Sequence, residues 1–231
     1  MKYQIQSVEW LSSEEFLKRL QKNAIKYSEY ADSTLLFVFR GSKSEEYEFY
    51  KARFGKNNFM HLAGIKSKTK KAVEFYESCL NGTVRKEDCT PRHSNNNMYA
   101  KVAIMERLLD FRHSKCYKIG EKDLVTKDND FEMATGNRDG IIGYDVRVSN
   151  KGNKTVDTSK SAIPTTLLNN PLTSYCSRPQ KIMFIMQKTD GEDKYHKVIF
   201  EIKKGLFKTE KEVLPEHILE QFSDELLQAD A

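Results

Sequence analysis

The spacing of apolar positions predicts three helices in the first half of the chain. Residues 12–27 begin with two serines suited to N-capping, followed by glutamates in the first turn. Their apolar side chains then recur at helical spacing, at Phe16, Leu17, Leu20, Ala24 and Ile25. Residues 66–82 and 94–113 show the same period, through Ala72, Val73, Phe75, Tyr76 and Leu80 and through Met98, Val102, Met105, Leu108 and Leu109.

Strand patterns surround and follow these helices. The apolar run 33–40, a short turn and the alternating run 45–54 predict a β-hairpin. Later β-branched and aromatic runs predict strands at 115–121, 131–137, 140–150, 181–189 and 195–204, the last two joined by an Asp-Gly turn. The sequence therefore predicts an α+β fold, with N-terminal and central helices packed on a mainly antiparallel sheet.

Two segments stand apart from this pattern. The polar, proline-containing stretch 149–180 is too long for a simple turn, which indicates either a functional connection or an insertion. Near the C-terminus, Leu214, Ile218, Phe222 and Leu226 recur every four residues and predict one amphipathic helix. We therefore divide the chain into a domain at 1–205 and an acidic helical tail at 206–231.

The charge distribution changes the picture of possible partners. The formal net charge is +5, but residues 206–231 hold two lysines against seven acidic residues, a net −5, which leaves 1–205 at +10. A basic body attracts polyanions such as nucleic acid through phosphate neutralisation. Ordinary lysine-rich proteins share this composition, so charge alone does not decide the partner.

Several functional classes find no support in the sequence. It holds no apolar run long enough to span a membrane and no export signal, so we expect a cytoplasmic protein without membrane contact. Its four cysteines lack a C-x-x-C pair, and its five histidines lack metal-ligand spacing, so we predict reduced thiols and no metal site. Nucleotide, dinucleotide, zincin and serine-hydrolase signatures are missing, so no cofactor is predicted.

Histidine, lysine and arginine suffice for one reaction on nucleic acid. RNA carries its own nucleophile, the 2′-OH, so a protein need only move two protons and stabilise charge on the phosphate. Histidine suits proton transfer near neutral pH, and a fixed cation suits the phosphate.

The stretch FMHLAGI at 59–65 carries a resemblance to a known family. It follows the first helix and hairpin and precedes MERLLDF, IPTTLL and the pair IMFIMQK and YHKVIFEI. In this order, over about residues 10 to 205, the chain resembles the fourth of the phage-type barnase/EndoU/colicin/RelE-like nuclease families. The resemblance implies the compact α+β fold of that group, a phage or mobile-element setting, a toxin-like role and a metal-independent endoribonuclease activity with RNA as partner.

The resemblance also implies site residues. His61 matches the one histidine of the motif and is the predicted acid/base group, with Gly64 turning the backbone after it. Arg107, Thr166 and Lys188 complete the predicted catalytic set as phosphate ligands. The predicted substrate-binding residues are Lys66, Lys68, Thr165 and His196.

Each of these residues also has a structural interpretation. His61 could anchor a strand-to-helix corner, and Arg107 could pair with a nearby carboxylate. The threonines could cap a helix, while Lys188 and the cluster KSKTKK could be ordinary solvated lysines. The alternative function is accordingly a catalytically inactive RNA-binding or protein-interaction module, and the C-terminal helix could dock a protein partner or inhibitor or shield the RNA surface itself.

Overall fold

The helices of the computed structural model agree in outline with the pattern. The structure describes residues 12–41, 46–112, 118–121, 131, 133–145, 147–150, 153–156 and 161–228. Short 3₁₀ turns lie at Lys86–Asp88, Leu172–Ser174 and Lys211–Val213. The helices of these residues are α1 (Ser13–Ser28), α2 (Asn58–Leu62), α3 (Ala72–Leu80), α4 (Asn95–Leu108), α5 (Leu206–Glu210), α6 (Glu216–Leu219) and α7 (Asp224–Gln228).

Strands make up most of the remaining elements. They are β1 (Ser33–Arg40), β2 (Tyr47–Phe54), β3 (Ile65–Lys66), β4 (Thr90–Pro91), β5 (Lys118–Glu121), β6 (Met133–Gly136), β7 (Ile141–Asp145), β8 (Arg147–Asn150), β9 (Asn153–Val156), β10 (Ile163–Leu168), β11 (Gln180–Thr189) and β12 (Lys197–Glu201). Helices and a mainly antiparallel sheet confirm the predicted α+β class.

The main sheet curls until its two ends meet. Its strand order is β10-β7-β6-β5-β11-β1-β2, and β12 pairs with β11 beside this path. The end strands approach each other at Ala52 and Ala162, whose small side chains are fully buried. There the N–H of Arg53 donates to the carbonyl of Ala162 at 2.8 Å, and the N–H of Ala162 donates to the carbonyl of Lys51 at 2.9 Å. These bonds bring β10 next to β2.

The larger hydrophobic core lies between one face of this sheet and the first four helices. Serine and glutamate start α1 as predicted, since the Ser12 side chain accepts the N–H of Glu15. Aromatic rings dominate the core, and Tyr27 is edge-on to both Phe59 and Tyr76. Among the core residues are Phe16, Leu20, Phe37, Phe54, Phe59, Leu62, Met105, Tyr144 and Leu167. The short helix α2 is therefore tied into the core by its Phe59 and Leu62.

The opposite face of β1 and β11 is covered by residues 205–228, here called the C-terminal strap. Phe207, Leu214, Ile218 and Phe222 of the strap are buried against Leu36, Val38, Phe184 and Met186 of the sheet. The Glu201 carboxylate accepts the N–H groups of Gly205 and Phe207, which fixes where the strap begins. Leu214, Ile218 and Phe222 are thus buried and Leu226 is partly buried, but the strap forms short helices separated by turns instead of one continuous helix, and Leu214 and Phe222 lie in the turns.

Other predictions need correction in detail. The stretch 149–180 is not an irregular connection, because it contains β9 and β10, and β10 is part of the main sheet. The strand predicted at 140–150 is divided into β7 and β8. Ile25 and Val73 were predicted to face the core, yet they are 52% and 42% exposed. Apolar spacing therefore predicted the helices correctly but assigned too many of their residues to the buried face.

Some of the predicted features lie outside the residues that the structure describes. The start of the strand predicted at 115–121, together with Cys116 and His113, lies outside the described residues. Cys79, Cys89 and Cys176 are buried free thiols. Within the described part of the chain, no helix has the length and apolar character that crossing a membrane would require.

Candidate functional site

The turn after α2 positions His61. This helix is only five residues long and is held by the buried Phe59 and Leu62, so the intervening His61 is displayed at the edge of the core, half-buried. Gly64 ends the turn with a φ of +70°, in the left-handed region where glycine is favoured, and its N–H donates to the His61 carbonyl at 2.9 Å. The backbone turn expected at Gly64 is present, and Phe59 and Leu62 pack inward on either side of the histidine.

A small two-stranded ladder brings Arg92 to the same turn. In it β3 pairs with β4, with Ile65 opposite Pro91 and Lys66 opposite Thr90. One residue further, the N–H of Arg92 donates to the Gly64 carbonyl at 2.8 Å. The backbones that carry His61 and Arg92 are therefore joined directly at Gly64.

Helix α4 supplies a buried lysine. Lys101 is only 6% exposed, and its Nζ donates to Oγ1 of Thr166 at 3.1 Å. A Cβ added to Gly64 would lie 3.0 Å from Cδ of Lys101 and 3.4 Å from Oδ1 of Asn97, so the turn at His61 packs closely on α4. That Asn97 oxygen is buried and has no hydrogen-bond partner among the residues that the structure describes.

A β-bulge in β10 places Thr166. The register against β7 shifts between Pro164 and Thr166, so two residues of β10 oppose the single Gly143. A side chain at Gly143 would not fit, because an added Cβ would lie 2.9 Å from Cγ2 of Thr166. The bulged Thr165 turns its hydroxyl back to the Gly143 carbonyl at 3.3 Å. Thr166 alone of this pair bonds to Lys101.

Positive charge and burial dominate the electrostatics of this cluster. Burial lowers the pKa of His61 to about 4, assisted by the positive charges of Arg92 and Lys101 and by His93, so the imidazole is neutral at pH 7. Burial, and then the charge of Arg92, lowers the pKa of Lys101 to about 8. Neither Arg92 nor Lys101 has a carboxylate in ion-pairing distance within the described chain. A buried cation such as Lys101 is costly without a counter-ion, and a bound anion would remove that cost.

Arg107, one of the predicted catalytic residues, is not part of this cluster. It lies near the C-terminal end of α4, 58% exposed, and its Nη1 is 3.5 Å from Oδ1 of Asp139 in the turn between β6 and β7. Arg107 therefore pairs with a carboxylate, which was the structural alternative to a catalytic role. Its contact with Asp139 connects α4 to that turn.

Lys188 lies on the strap side of the sheet, and His196 lies beside the hairpin turn that joins β11 to β12. Lys188 sits 5.3 Å from the centre of the Tyr195 ring and donates to the Asp193 carbonyl at 2.8 Å. Alternation along β11 puts Lys188 on the same face as Met186, which packs under the strap. His196 is exposed, with Nδ1 3.0 Å from a carboxylate oxygen of Glu192. The structure therefore does not bring these two residues to His61.

The two predicted lysines of the substrate surface lie closer to the cluster. Lys66 is exposed in β3, two residues after Gly64, and Lys68 is exposed in the following bend. Ser67 and Thr69 hold that bend, and the Thr69 hydroxyl donates to Asp88 at 2.5 Å. These lysines extend a positive surface outward from the site.

Arg92 and Lys101 were missed by sequence reasoning. Lys101 follows Met98 by three residues, so it interrupts the apolar stripe of α4 and could have been recognised as a charge on a buried face. Arg92 belongs to no periodic pattern, and only the pairing of β3 with β4 reveals it. Among the described residues, no group of three His, Cys, Asp or Glu side chains is arranged to hold a metal ion.

Comparison with known proteins gives one match. The family described as phage-Barnase-EndoU-ColicinE5/D-RelE like nuclease4 matches residues 19–204, most of the chain. No curated protein and no solved structure shows a significant match. The matched region contains all of His61, Arg92, Lys101 and Thr166.

Proposed function

The chain belongs to the fourth phage-type barnase/EndoU/colicin/RelE-like nuclease family, and from this premise we propose that it is an endoribonuclease whose active site is formed by His61, Arg92, Lys101 and Thr166. A nuclease family implies a nucleic-acid substrate. One observation carries the choice of site: Lys101 is a buried cation beside Arg92, and no carboxylate of the described residues pairs with it. The scissile phosphate supplies the missing negative charge.

His61 is the general base in this proposal. A base must be unprotonated, and the lowered pKa of about 4 keeps the imidazole neutral at physiological pH. It removes the proton of the 2′-OH, whose oxygen then attacks the adjacent phosphorus. The same low pKa makes His61 a weak base in the free protein, but a bound phosphate raises its pKa by stabilising the imidazolium.

Lys101 and Arg92 act on the phosphate. Their charges stabilise the extra negative charge of the five-coordinate transition state. The Thr166 hydroxyl accepts from Lys101 Nζ and keeps its own proton for a phosphate oxygen.

Lys101 is also the proposed general acid. It has a pKa of about 8, well below that of an ordinary lysine, so it gives up its proton more readily. The proton goes to the departing 5′-oxygen as the P–O bond breaks. The products are a 2′,3′-cyclic phosphate and a 5′-hydroxyl, and proton exchange with water restores His61 and Lys101.

A polar atom beside Lys101 supports RNA over DNA as the substrate. The buried Asn97 Oδ1 has no hydrogen-bond partner in the described part of the chain and can accept a hydrogen bond from a ribose hydroxyl. The exposed Lys66 and Lys68 would contact the flanking backbone, and binding should then weaken as salt increases.

The decisive experiment is cleavage of total RNA followed by sequencing of the new ends, with and without EDTA. We expect 5′-hydroxyl and 2′,3′-cyclic phosphate ends, formed equally in EDTA. An RNA carrying 2′-O-methyl at a mapped cut should resist cleavage there. His61→Ala and Lys101→Met should each lower the rate by at least about 100-fold. His217→Ala and Lys22→Met are matched controls, since both residues are exposed and outside the site.

Three results would contradict the proposal. Cuts that leave a 3′-hydroxyl would exclude 2′-OH attack. Undiminished cleavage by both site variants would place the active site elsewhere. Salt-dependent RNA binding without cleavage by the unmodified protein would identify an inactive RNA-binding module instead.

A further inference from the structure

Lys66 shares one face of the small ladder with Arg92 of the proposed site. Lys66 is paired with Thr90, and Thr90 comes two residues before Arg92. Paired residues share a face and alternate residues of a strand do too, so the three side chains point the same way. Ile65 points the opposite way and is fully buried in the core. The outer face of the ladder therefore carries the two positive charges of Lys66 and Arg92.

This ladder is too short to be stable by itself. β3 and β4 have two residues each, and even a longer two-stranded ladder is only marginally stable in water. At one end the Arg92 N–H donates to the Gly64 carbonyl, which fixes β4 to the turn after α2. At the other end the chain enters residues 67–70, here called the lysine bend, and returns only at β4. The lysine bend therefore needs another contact to stay beside β4.

Asp88 provides that contact. Its carboxylate is buried, and it accepts the Thr69 hydroxyl at 2.5 Å and the Arg85 N–H at 2.9 Å. These two hydrogen bonds lower the pKa of Asp88, so the group is a carboxylate at neutral pH. Hydrogen bonds to a charged acceptor are the stronger kind. Because Thr69 belongs to the lysine bend and Asp88 lies two residues before β4, the bond between them closes the open end of the ladder.

The Asp88 carboxylate does not neutralise the lysines around it. Both of its donors are uncharged, and no lysine or arginine of the described chain lies in ion-pairing distance of it. Lys70 pairs with Glu74 at 3.6 Å, whereas Lys66 and Lys68 have no carboxylate partner among the described residues. By charge alone an acidic residue here would repel RNA. Any favourable contribution of Asp88 to RNA binding must therefore come from its hydrogen bonds.

We infer that Asp88 is a positioning residue for RNA binding, which fixes the lysine bend through its bond to Thr69. Lys66 and Lys68 are then already ordered beside Arg92 when RNA arrives. Ordering these side chains and their backbone in advance removes an entropy cost from the association. This inference rests on the proposed function, since it requires RNA at the proposed site.

The test removes the hydrogen bond and keeps the charge. Thr69→Val has nearly the same shape but no hydroxyl, and Thr69 is exposed, so the variant should melt like the unmodified chain. On a single-stranded RNA with one mapped cut, we expect KM to rise about fivefold or more while kcat stays within about twofold. The slope of log KM against log salt should fall by about 0.7 for each lysine that no longer neutralises a phosphate.

Three further variants separate positioning from other effects. Thr69→Ser keeps the hydroxyl and should restore the unmodified KM. Thr209→Val is the matched control, because the exposed Thr209 hydroxyl donates to the Leu206 carbonyl at 2.9 Å in the strap. Asp88→Asn removes the negative charge and one of the two acceptor oxygens, so it should raise KM although it also removes a charge that repels RNA.

The outcomes distinguish this inference from the proposed function. If the protein cleaves RNA and Thr69→Val leaves both KM and the salt slope unchanged, this inference alone is overturned. It is also overturned if kcat falls as much as KM rises, if serine does not restore KM, or if Asp88→Asn binds RNA more tightly. If the unmodified protein binds RNA without cutting it, the endoribonuclease proposal fails, and the dissociation constants of the same variants decide this inference. A protein that binds no RNA would overturn both.

Discussion

Nζ of Lys101 lies 3.1 Å from Oγ1 of Thr166, a hydrogen bond between residues 65 positions apart. It joins the buried face of α4 to the bulge of β10, and the turn carrying His61 packs against the same lysine through Gly64. Among the described residues this ammonium bonds to a neutral hydroxyl and to no carboxylate, which is unfavourable for folding because desolvation is not offset by a counter-ion. We interpret it as a charge kept for ligand binding.

Replacement of this lysine should therefore stabilise the protein while abolishing its function. Methionine has a similar length and no charge, so Lys101→Met removes the desolvation cost. We expect the free energy of unfolding at pH 7 to rise by about 1–3 kcal/mol, the order implied by a pKa lowered from 10.5 to about 8. Chemical denaturation measures this, and RNA cleavage should be lost in the same variant.

The pH dependence provides the control for that result. Between pH 8 and 10.5 the unfolded chain binds the proton that folded Lys101 has lost, so the unmodified protein gains stability as the pH rises. The advantage of Lys101→Met should shrink over this range. If Lys101→Met is less stable than the unmodified protein at pH 7, Lys101 contributes to packing and its charge does not destabilise the fold.

Catalysis should follow a bell-shaped pH profile. The base His61 must be neutral and the acid Lys101 protonated, so kcat/KM should rise with pH through about 4 and fall through about 8. Initial rates at substrate concentrations well below KM report these limbs for the free protein. At saturation both limbs should move to higher pH, because the bound phosphate favours both protonated forms.

A substitution of Lys101 can show whether this residue causes the alkaline decline of kcat/KM. Lys101→Arg keeps a positive charge but cannot lose its proton near pH 8, so any remaining activity should show no alkaline decline. An unchanged decline in that variant would assign the limb to another group and remove Lys101 as the acid.

Gly64 should be needed for both folding and activity. Alanine at a φ of +70° costs about 1–2 kcal/mol in strain, and its Cβ would press on Lys101 Cδ at 3.0 Å. Gly205→Ala is the matched control, since Gly205 has a φ of +78° and nothing within 4 Å of an added Cβ. Both variants should lose similar stability in denaturation, but only Gly64→Ala should also lower the cleavage rate. Equal cleavage rates for Gly64→Ala and Gly205→Ala would show that the turn at Gly64 does not contribute to the active site.

The sequence predicted the elements of the fold better than the assembly of the site. Helical spacing identified α1 and α4, and the short motif indicated the backbone turn at Gly64, because these signals are local. Lys101 meets Thr166 only through the pairing of distant strands, which no local pattern encodes. The polar residues around it concealed β10, although four of its six residues are apolar, because its bulge interrupts the two-residue alternation that marks a strand.

Removal of the C-terminal strap should unfold the protein instead of activating it. The sequence suggested that an acidic tail could shield the RNA surface, yet the strap covers the sheet face that carries Met186 and Lys188. Deletion of 206–231 would expose the apolar side chains of that face and remove the buried Phe207 and Phe222, and each buried phenylalanine contributes about 3–5 kcal/mol.

We therefore expect the shortened protein to aggregate, or to unfold at a much lower temperature, in size-exclusion chromatography and thermal denaturation. A chain ending at Gln228 is the control and should behave like the full protein, because it keeps the strap. The Arg40 to Glu210 ion pair, at 3.2 Å, makes only a small contribution, since Arg40 is about half exposed. A shortened protein that stays monomeric, melts normally and binds RNA more tightly would support the shielding role and contradict a structural one.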